Sequence, residues 1–323
     1  MDIDILLALQ EFRNGSGSYL TSFFSKMSYL GELNTVLIIM AVIYWCFSKE
    51  LGTYLMMGWS GNRILNGAAK ITACTYRPWI RDARIVPYGN YTSTATGCSF
   101  PSGHAMNAAT IYGSGARKKN FPVALRVILG LMVVLVAFSR MYLGVHTPQD
   151  VLAGTAAGLL VMFLTGKLMR WVEAHPTKDV LIAGIGIALA AVVAAYAMLK
   201  SYPEDYDAKG KLLVNGTRMA KDTFRDVGRS AAFLLGWVLE RRFVRFSTDI
   251  PAMKRAVRLA GGLLSYYAVS LILVPLIKDW LPGSDGIMIS AFFQMFYITF
   301  LFPWCLKRFE TPAPEQKAQN AVF

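Results

Sequence analysis

The sequence predicts an all-α integral membrane protein, and three observations predict it. Hydrophobic residues fill 54% of the 323 positions while Asp, Glu, Lys and Arg fill only 16%, too few to clothe a soluble domain of this length. The mean hydropathy is +0.40. Apolar segments of about 20 residues, enough for a helix to cross a bilayer, recur along the chain between short polar turns.

Taken in order, residues 1–30 lack the basic start and small-residue cleavage site of a secretory signal. Their apolar positions, Ile3, Ile5, Leu6, Leu9 and Phe12, then Tyr19, Leu20, Phe23 and Phe24, repeat at helical spacing on either side of a Gly/Ser-rich break. Two short helices at the membrane interface fit this pattern, and so does a tail packed on the bundle. Spans are expected near 31–48, 51–75, 103–116, 121–141, 149–170, 180–199, 225–240, 257–278 and 286–305, of which the third and seventh are short or polar. Residues 309–323 read as a flexible cytoplasmic tail.

Nine alternating spans sort the connections onto two faces. One face receives the 76–102 loop, the 140–148 turn and the 200–224 loop. The other receives Arg117-Lys118-Lys119, the 167–178 segment, the 241–258 stretch and Lys307-Arg308, and is the more basic. Lys and Arg concentrate on the cytoplasmic side, so the first set faces outward. The net charge of +13 is then explained by topology and by contact with anionic membrane lipids. No basic stripe interleaved with aromatics marks a nucleic-acid surface, so no nucleic-acid partner is expected.

Three junctions on the outward set carry chemistry. Ser139 to Asp150 places Arg140, His146 and Asp150 around one turn. Thr147 suits an N-cap, Pro148 the first helical position, and Asp150 the first turn, where its charge meets the positive helix end. Taken alone, Asp150 reads as a helix-start residue; beside His146 it can also hold one ring nitrogen and leave the other free to act. Upstream, Pro101-Ser102-Gly103-His104 precedes an apolar run and reads as a helix N-terminus, where backbone N–H groups receive an anion and Gly103 leaves room for its approach. Lys70 and Arg77 lie about two helical turns apart, and Pro78 marks the helix end. Of the three histidines, two fall in these junctions; His175 sits in a Lys-rich polar loop.

These strings, Lys70 with six residues before Arg77-Pro78, then Pro101-Ser102-Gly103-His104, then Ser139-Arg140 with five residues before His146 and three more before Asp150, resemble the three-part signature of the type 2 phosphatidic acid phosphatase (PAP2) superfamily. The resemblance covers roughly residues 30–200 and implies a six-helix PAP2-type core, with about three further C-terminal transmembrane helices beyond it. The implied organisation is an interfacial segment at 1–30, a catalytic membrane core at 31–200, additional helices at 201–308 and the tail.

The resemblance further implies roles. His146 attacks phosphorus, Asp150 fixes its tautomer, and His104 protonates the leaving oxygen and later activates water. Lys70, Arg77, Arg140, Ser102 and the Gly103 N–H hold the phosphoryl oxygens as charge builds. No metal or other cofactor is implied, and Glu204, Asp205 and Asp207 are contiguous with no histidine near, unlike a cation cage.

A site opening at the outer interface suits a phosphorylated lipid or a polyprenyl diphosphate. Nine spans, and the Arg77-Pro78-Trp79 and Ser102-Gly103-His104-Ala105-Met106 strings, are similar to the glucose-6-phosphatase branch, which makes a sugar phosphate the alternative. A vanadate haloperoxidase shares such a pocket but not this many spans. A lipid carrier without catalysis is the non-enzyme alternative, since polar residues within spans can mark a pathway. The expected location is a multi-pass position in a cell membrane or endoplasmic reticulum, with the active site extracytoplasmic or lumenal.

Other groups call for partners. Arg63 lies mid-span with Asn62 and Asn66, and an intramembrane charge is costly unless paired; a structural ion pair and a polar shaft beneath the site both fit. Arg225, Asp226 and Arg229 read as a self-compensating cluster. Cys46, Cys74, Cys98 and Cys305 show no metal or redox spacing, and a Cys74–Cys98 disulfide stays open.

Overall fold

The structure, a computed structural model, describes residues 1–95, 97–207, 210 and 212–309. The expected tail from residue 310 onward lies outside the described residues. The chain is 80% helical, with no strand among the described residues. In order run α1 (Asp2–Gly15), α2 (Gly17–Tyr29), α3 (Leu33–Phe47) and α4 (Lys49–Ala73). A helix over 103–116, α5, contains a widened turn at Ala109–Gly113. Then follow α6 (Val123–Tyr142), α7 (Pro148–Ala174), α8 (Asp179–Leu199), α9 (Gly216–Leu239), α10 (Ala252–Trp280) and α11 (Ser284–Phe309).

Each of the nine expected spans has a helix in its place, but length and apolarity qualify fewer of them to cross a bilayer. Among the described residues five helices pass, α6, α7, α8, α10 and α11, or six if α2 and α3, bent by 57° at their junction, count as one span. The exceptions have a physical reason. At 1.5 Å per residue α5 is roughly 20 Å long, short of the about 30 Å hydrocarbon layer. Helices α4 and α9 are long enough but carry Arg63 and Lys70, and Asp222, Arg225, Asp226 and Arg229. Those side chains line one cavity, so the helices that bear them need not be apolar all round. By contrast only 6% of the apolar window of α10 is buried within the protein, as suits a helix whose surroundings are lipid.

The main core gathers Val36, Met40, Trp45, Met56, Trp59 and Phe233, drawn from α3, α4 and α9. Trp45 Nε1 donates to the Ile298 carbonyl at 2.8 Å and the Tyr44 hydroxyl to that of Thr299 at 3.2 Å, tying α3 to α11. The N-terminal helices pack along α6, where Arg13 donates to the Tyr142 carbonyl at 3.1 Å and to that of Val86 at 2.7 Å. All four cysteines are free thiols.

One contact positions the functional end of the bundle. Gly154 and Gly158, four residues apart, form a small-residue face on α7 that lets α5 approach closely. A Cβ on Gly154 would lie 2.6 Å from the Ser102 carbonyl oxygen, and one on Gly158 would lie 2.8 Å from the Ala109 Cβ. At this closeness the Ser102 N–H donates to the Asp150 carbonyl at 2.9 Å, joining the start of α5 to the start of α7. Gly154→Ala is therefore expected to cost about 1–3 kcal/mol through overpacking and to lower the unfolding midpoint in detergent. Gly184→Ala on α8, where a Cβ meets nothing within 4 Å, serves as the control and should leave the midpoint unchanged or slightly raised.

Candidate active site

The turn between α6 and α7 sets the geometry. Gly144, at φ +73°, takes the left-handed conformation that ends α6. The N–H groups of Val145 and His146 then turn back to the Arg140 carbonyl at 3.1 and 3.3 Å. At the start of α7, Thr147 and Asp150 form a reciprocal capping box: the Thr147 N–H donates to Asp150 Oδ2 at 2.8 Å and the Asp150 N–H to Thr147 Oγ1 at 3.3 Å.

The same carboxylate oxygen faces the imidazole. His146 Nδ1 lies 3.4 Å from Asp150 Oδ2 and 3.3 Å from Ser99 Oγ, and the Ser99 hydroxyl donates to Asp150 Oδ2. On the other side of the ring, Arg77 Nη1 stands 2.9 Å from His146 Nε2. A guanidinium only donates, so Nε2 offers its lone pair and the proton resides on Nδ1, directed at Asp150 and Ser99. Asp150 thus serves as both helix cap and histidine partner, the two readings its position allowed.

His146 is 2% exposed. Burial, with the Arg77 guanidinium beside it, holds the imidazole well below the usual histidine pKa, against the opposing pull of Asp150. Neutral imidazole is the form that carries a lone pair. Arg77 is itself fixed by donation to the Gly97 carbonyl at 2.8 Å and to the Val145 carbonyl at 2.9 Å.

A cavity of about 560 Å³ brings the junctions together. Lys70, Arg77, Gly103, His104, Arg140 and His146 all line it. His104 Nε2 is buried with no hydrogen-bond partner, as is Arg140 Nε. Arg140 otherwise donates to Ser28 of α2 and lies over the Tyr91 ring, 5.2 Å from its centroid. Asp150 stands behind His146 rather than in the cavity wall. Ser102 is fully buried at the head of α5, where its hydroxyl accepts from the Ala105 N–H at 3.5 Å, and it is not among the lining residues. Among the described residues no group of three or more His, Cys, Asp and Glu side chains is placed to hold a metal ion.

The structure adds residues to which, Asn66 apart, the sequence gave no signal. Ser99 bridges His146 and Asp150 from a loop, three residues before the Ser102 cap, with nothing in its surroundings to distinguish it. Glu32, at the break between α2 and α3, puts a carboxylate on the cavity wall, and Tyr91 lies under Arg140. Asn66 fixes the approach to α5 by donating to the Pro101 carbonyl at 3.2 Å. The sequence marks it as a mid-span polar residue beside Arg63, and it lies one helical turn before Lys70.

Residues 50–174 match the PAP2 superfamily, and residues 224–315 match the PAP2 superfamily phosphatase transmembrane extension. Phosphatidylglycerophosphatase B of Bacillus subtilis is 32% identical over 160 residues, covering 45% of this chain and 73% of that protein. The undecaprenyl-diphosphatase of Sulfolobus acidocaldarius is 39% identical over 118 residues, 36% of this chain and 55% of that one. The glucose-6-phosphatase catalytic subunit 1 of Haplochromis xenognathus is 31% identical over 125 residues, 34% of this chain and 44% of that one. This chain therefore spans only about half the length of the latter two. With Lys70, Arg77, Gly103, His104, Arg140 and His146 lining one cavity and both parts of the family matched in order, this multi-pass membrane protein belongs to the PAP2 superfamily of phosphatases.

Proposed function

We propose that this protein hydrolyses the phosphate ester or diphosphate of a membrane amphiphile through a phosphohistidine formed on His146. The observation that carries the proposal is the two-sided grip on the imidazole, with Asp150 and Ser99 on Nδ1 and a cavity-facing Nε2 beside Arg77. A bound phosphoryl group competes with Nε2 for the Arg77 guanidinium. As the Nη1 hydrogen that faces Nε2 is drawn to a phosphoryl oxygen, with Arg77 still held by the Gly97 and Val145 carbonyls, the lone pair is released toward phosphorus. Nε2 attacks, the P–O bond to the leaving group breaks, and His104 supplies the proton that the departing oxygen needs. His104 then takes a proton from water, which attacks the phosphohistidine and returns phosphate. Positive charge builds on the imidazole as the N–P bond forms, and the Asp150 carboxylate stabilises it.

Lys70, Arg77 and Arg140 supply the positive charge that phosphoryl transfer needs at the equatorial oxygens, without a metal or other cofactor in the scheme. Ser102 contributes by capping α5, whose first residues Gly103 and His104 line the cavity and whose N-terminal end favours an anion. The more basic connections are assigned to the cytoplasm and the site to the extracytoplasmic or lumenal face. There the phosphate of a lipid lies at headgroup level. The relatives that act on phosphatidylglycerophosphate and undecaprenyl diphosphate by name support an amphiphile. The polar cavity of about 560 Å³ also accommodates a hexose phosphate, the reading that the glucose-6-phosphatase relative supports.

Phosphate release in detergent, measured with phosphatidate, an isoprenoid diphosphate and a hexose 6-phosphate, tests the proposal. One of the two amphiphiles is expected to be turned over best, with His146→Ala inactive on all three; preference for the hexose ester would transfer the reading to a sugar phosphatase, and turnover by His146→Ala would remove the nucleophile. The profile of kcat/KM against pH tests the ring's environment. Because the depressed pKa keeps His146 neutral, its acid limb should lie below pH 6.5. Ser99→Ala should lower the plateau by about 10- to 100-fold, since a hydrogen bond to a charged group contributes about 1.5–3 kcal/mol; an unchanged plateau would dismiss Ser99 as a positioning residue.

A further inference from the structure

One wall of the cavity comes from outside the three signature stretches. Helix α9, whose inner part begins the transmembrane extension, lines it with Asp222, Arg225, Asp226 and Arg229. Arg225 and Asp222 pair with each other on the helix surface, Nη1 to Oδ1 at 2.6 Å, and neutralise locally. Asp226 instead reaches across to α4, where it accepts from Arg63 Nη2.

Arg63 lies two turns before Lys70 on α4 and also lines the cavity. Its guanidinium forks. One terminal nitrogen serves Asp226, while the other, Nη1, stands 3.2 Å from where a Gly103 Cβ would be. Gly103 opens α5, the helix start to which the phosphoryl oxygens are assigned above, and carries no Cβ to separate the arginine from whatever binds there. The Nε of Arg63 is buried and without a partner, so Asp226 does not exhaust its donors.

A tie between α4 and α9 alone needs only the nitrogen that meets Asp226. It gives no reason for the second nitrogen to face the α5 start, nor for the pair to be set in the wall of a polar cavity. We propose that Arg63 is a further cation of the phosphate site and that Asp226, from the C-terminal extension, is the positioning residue that aims it. The extension is on this account a working part of the active site. Arg229, one turn further along α9, supports the same wall: it is 5% exposed, donates from Nη2 to Gln294 of α11 at 3.3 Å, and leaves Nε and Nη1 unpartnered. A guanidinium is suited to this division because its planar fork serves two acceptors at once, which an ammonium on a flexible stem does not.

The inference rests on the phosphatase reading of the cavity, and its test separates the two. In the full-length protein in detergent, inorganic phosphate is titrated as a competitive inhibitor of ester hydrolysis, and the unfolding midpoint is recorded for each variant. Arg63→Gln is expected to raise the phosphate inhibition constant tenfold or more and to lower kcat/KM, with Arg63→Lys intermediate. Asp226→Asn should raise the constant by a smaller factor, and Asp226→Glu should restore part of it. A folded Arg63→Gln variant that keeps the wild-type inhibition constant overturns the inference, whatever its midpoint, because a purely structural tie predicts altered stability and unaltered phosphate affinity. If Arg63→Gln does not fold, Arg63→Lys decides: a threefold or greater rise supports the role and a wild-type constant overturns it. A wild-type protein that neither hydrolyses phosphate esters nor responds to phosphate overturns the phosphatase reading and this inference with it, whereas a wild type inhibited by phosphate beside an unaffected Arg63→Gln overturns this inference alone.

Discussion

The contact on which the site depends is that between the His146 ring and the oxygen Oδ2 of Asp150. That single oxygen accepts from the Thr147 N–H, accepts from Ser99 and faces His146 Nδ1, so the start of α7, the loop before α5 and the imidazole share one acceptor. A carboxylate in this position is stable only because those donors replace its water. Each donor is then held in turn. The helix cap is therefore not separate from the chemistry: the fold of the turn and the orientation of the histidine rest on the same few ångströms.

Around this contact the bundle solves a problem of charge. Lys70, Arg77, Arg140, Arg63 and Arg229 line one cavity within a membrane protein, against Glu32, Asp222 and Asp226. Such a concentration is affordable only if lipid is kept away from it. Helices α4 and α9 present their polar faces inward and their apolar residues to neighbouring helices, and α11 covers α9 from the other side through close contacts at Gly228 and Gly236. The C-terminal extension thus shields the charged interior in addition to lining it.

Much of this was legible in the sequence where local physics decides. The apolar windows of α6, α7, α8 and α10 announce themselves, and Thr147-Pro148 marks the start of α7. Lys70, Arg77, His104, Arg140 and His146 could be nominated because each sits at a helix end or a turn, and the structure brings them to one cavity. What could not be read depends on contacts between distant segments. Ser28 meets Arg140 across 112 positions and Arg63 meets Asp226 across 163, and nothing near either serine or aspartate signals its partner. Ser102 shows the converse: a hydroxyl at the head of a helix can hold an anion, cap the helix or do both, and the cap is visible only in the backbone geometry.

Covalent attack by His146 is most directly tested by catching it. The enzyme, quenched in alkali during turnover of a phosphate ester so that an N–P bond survives, can be digested and its peptides weighed. Phosphate on the peptide bearing His146, absent when substrate is omitted, is the required result. Phosphate on His104 or on any other residue instead, or a protein that never carries phosphate while it turns over, would contradict it.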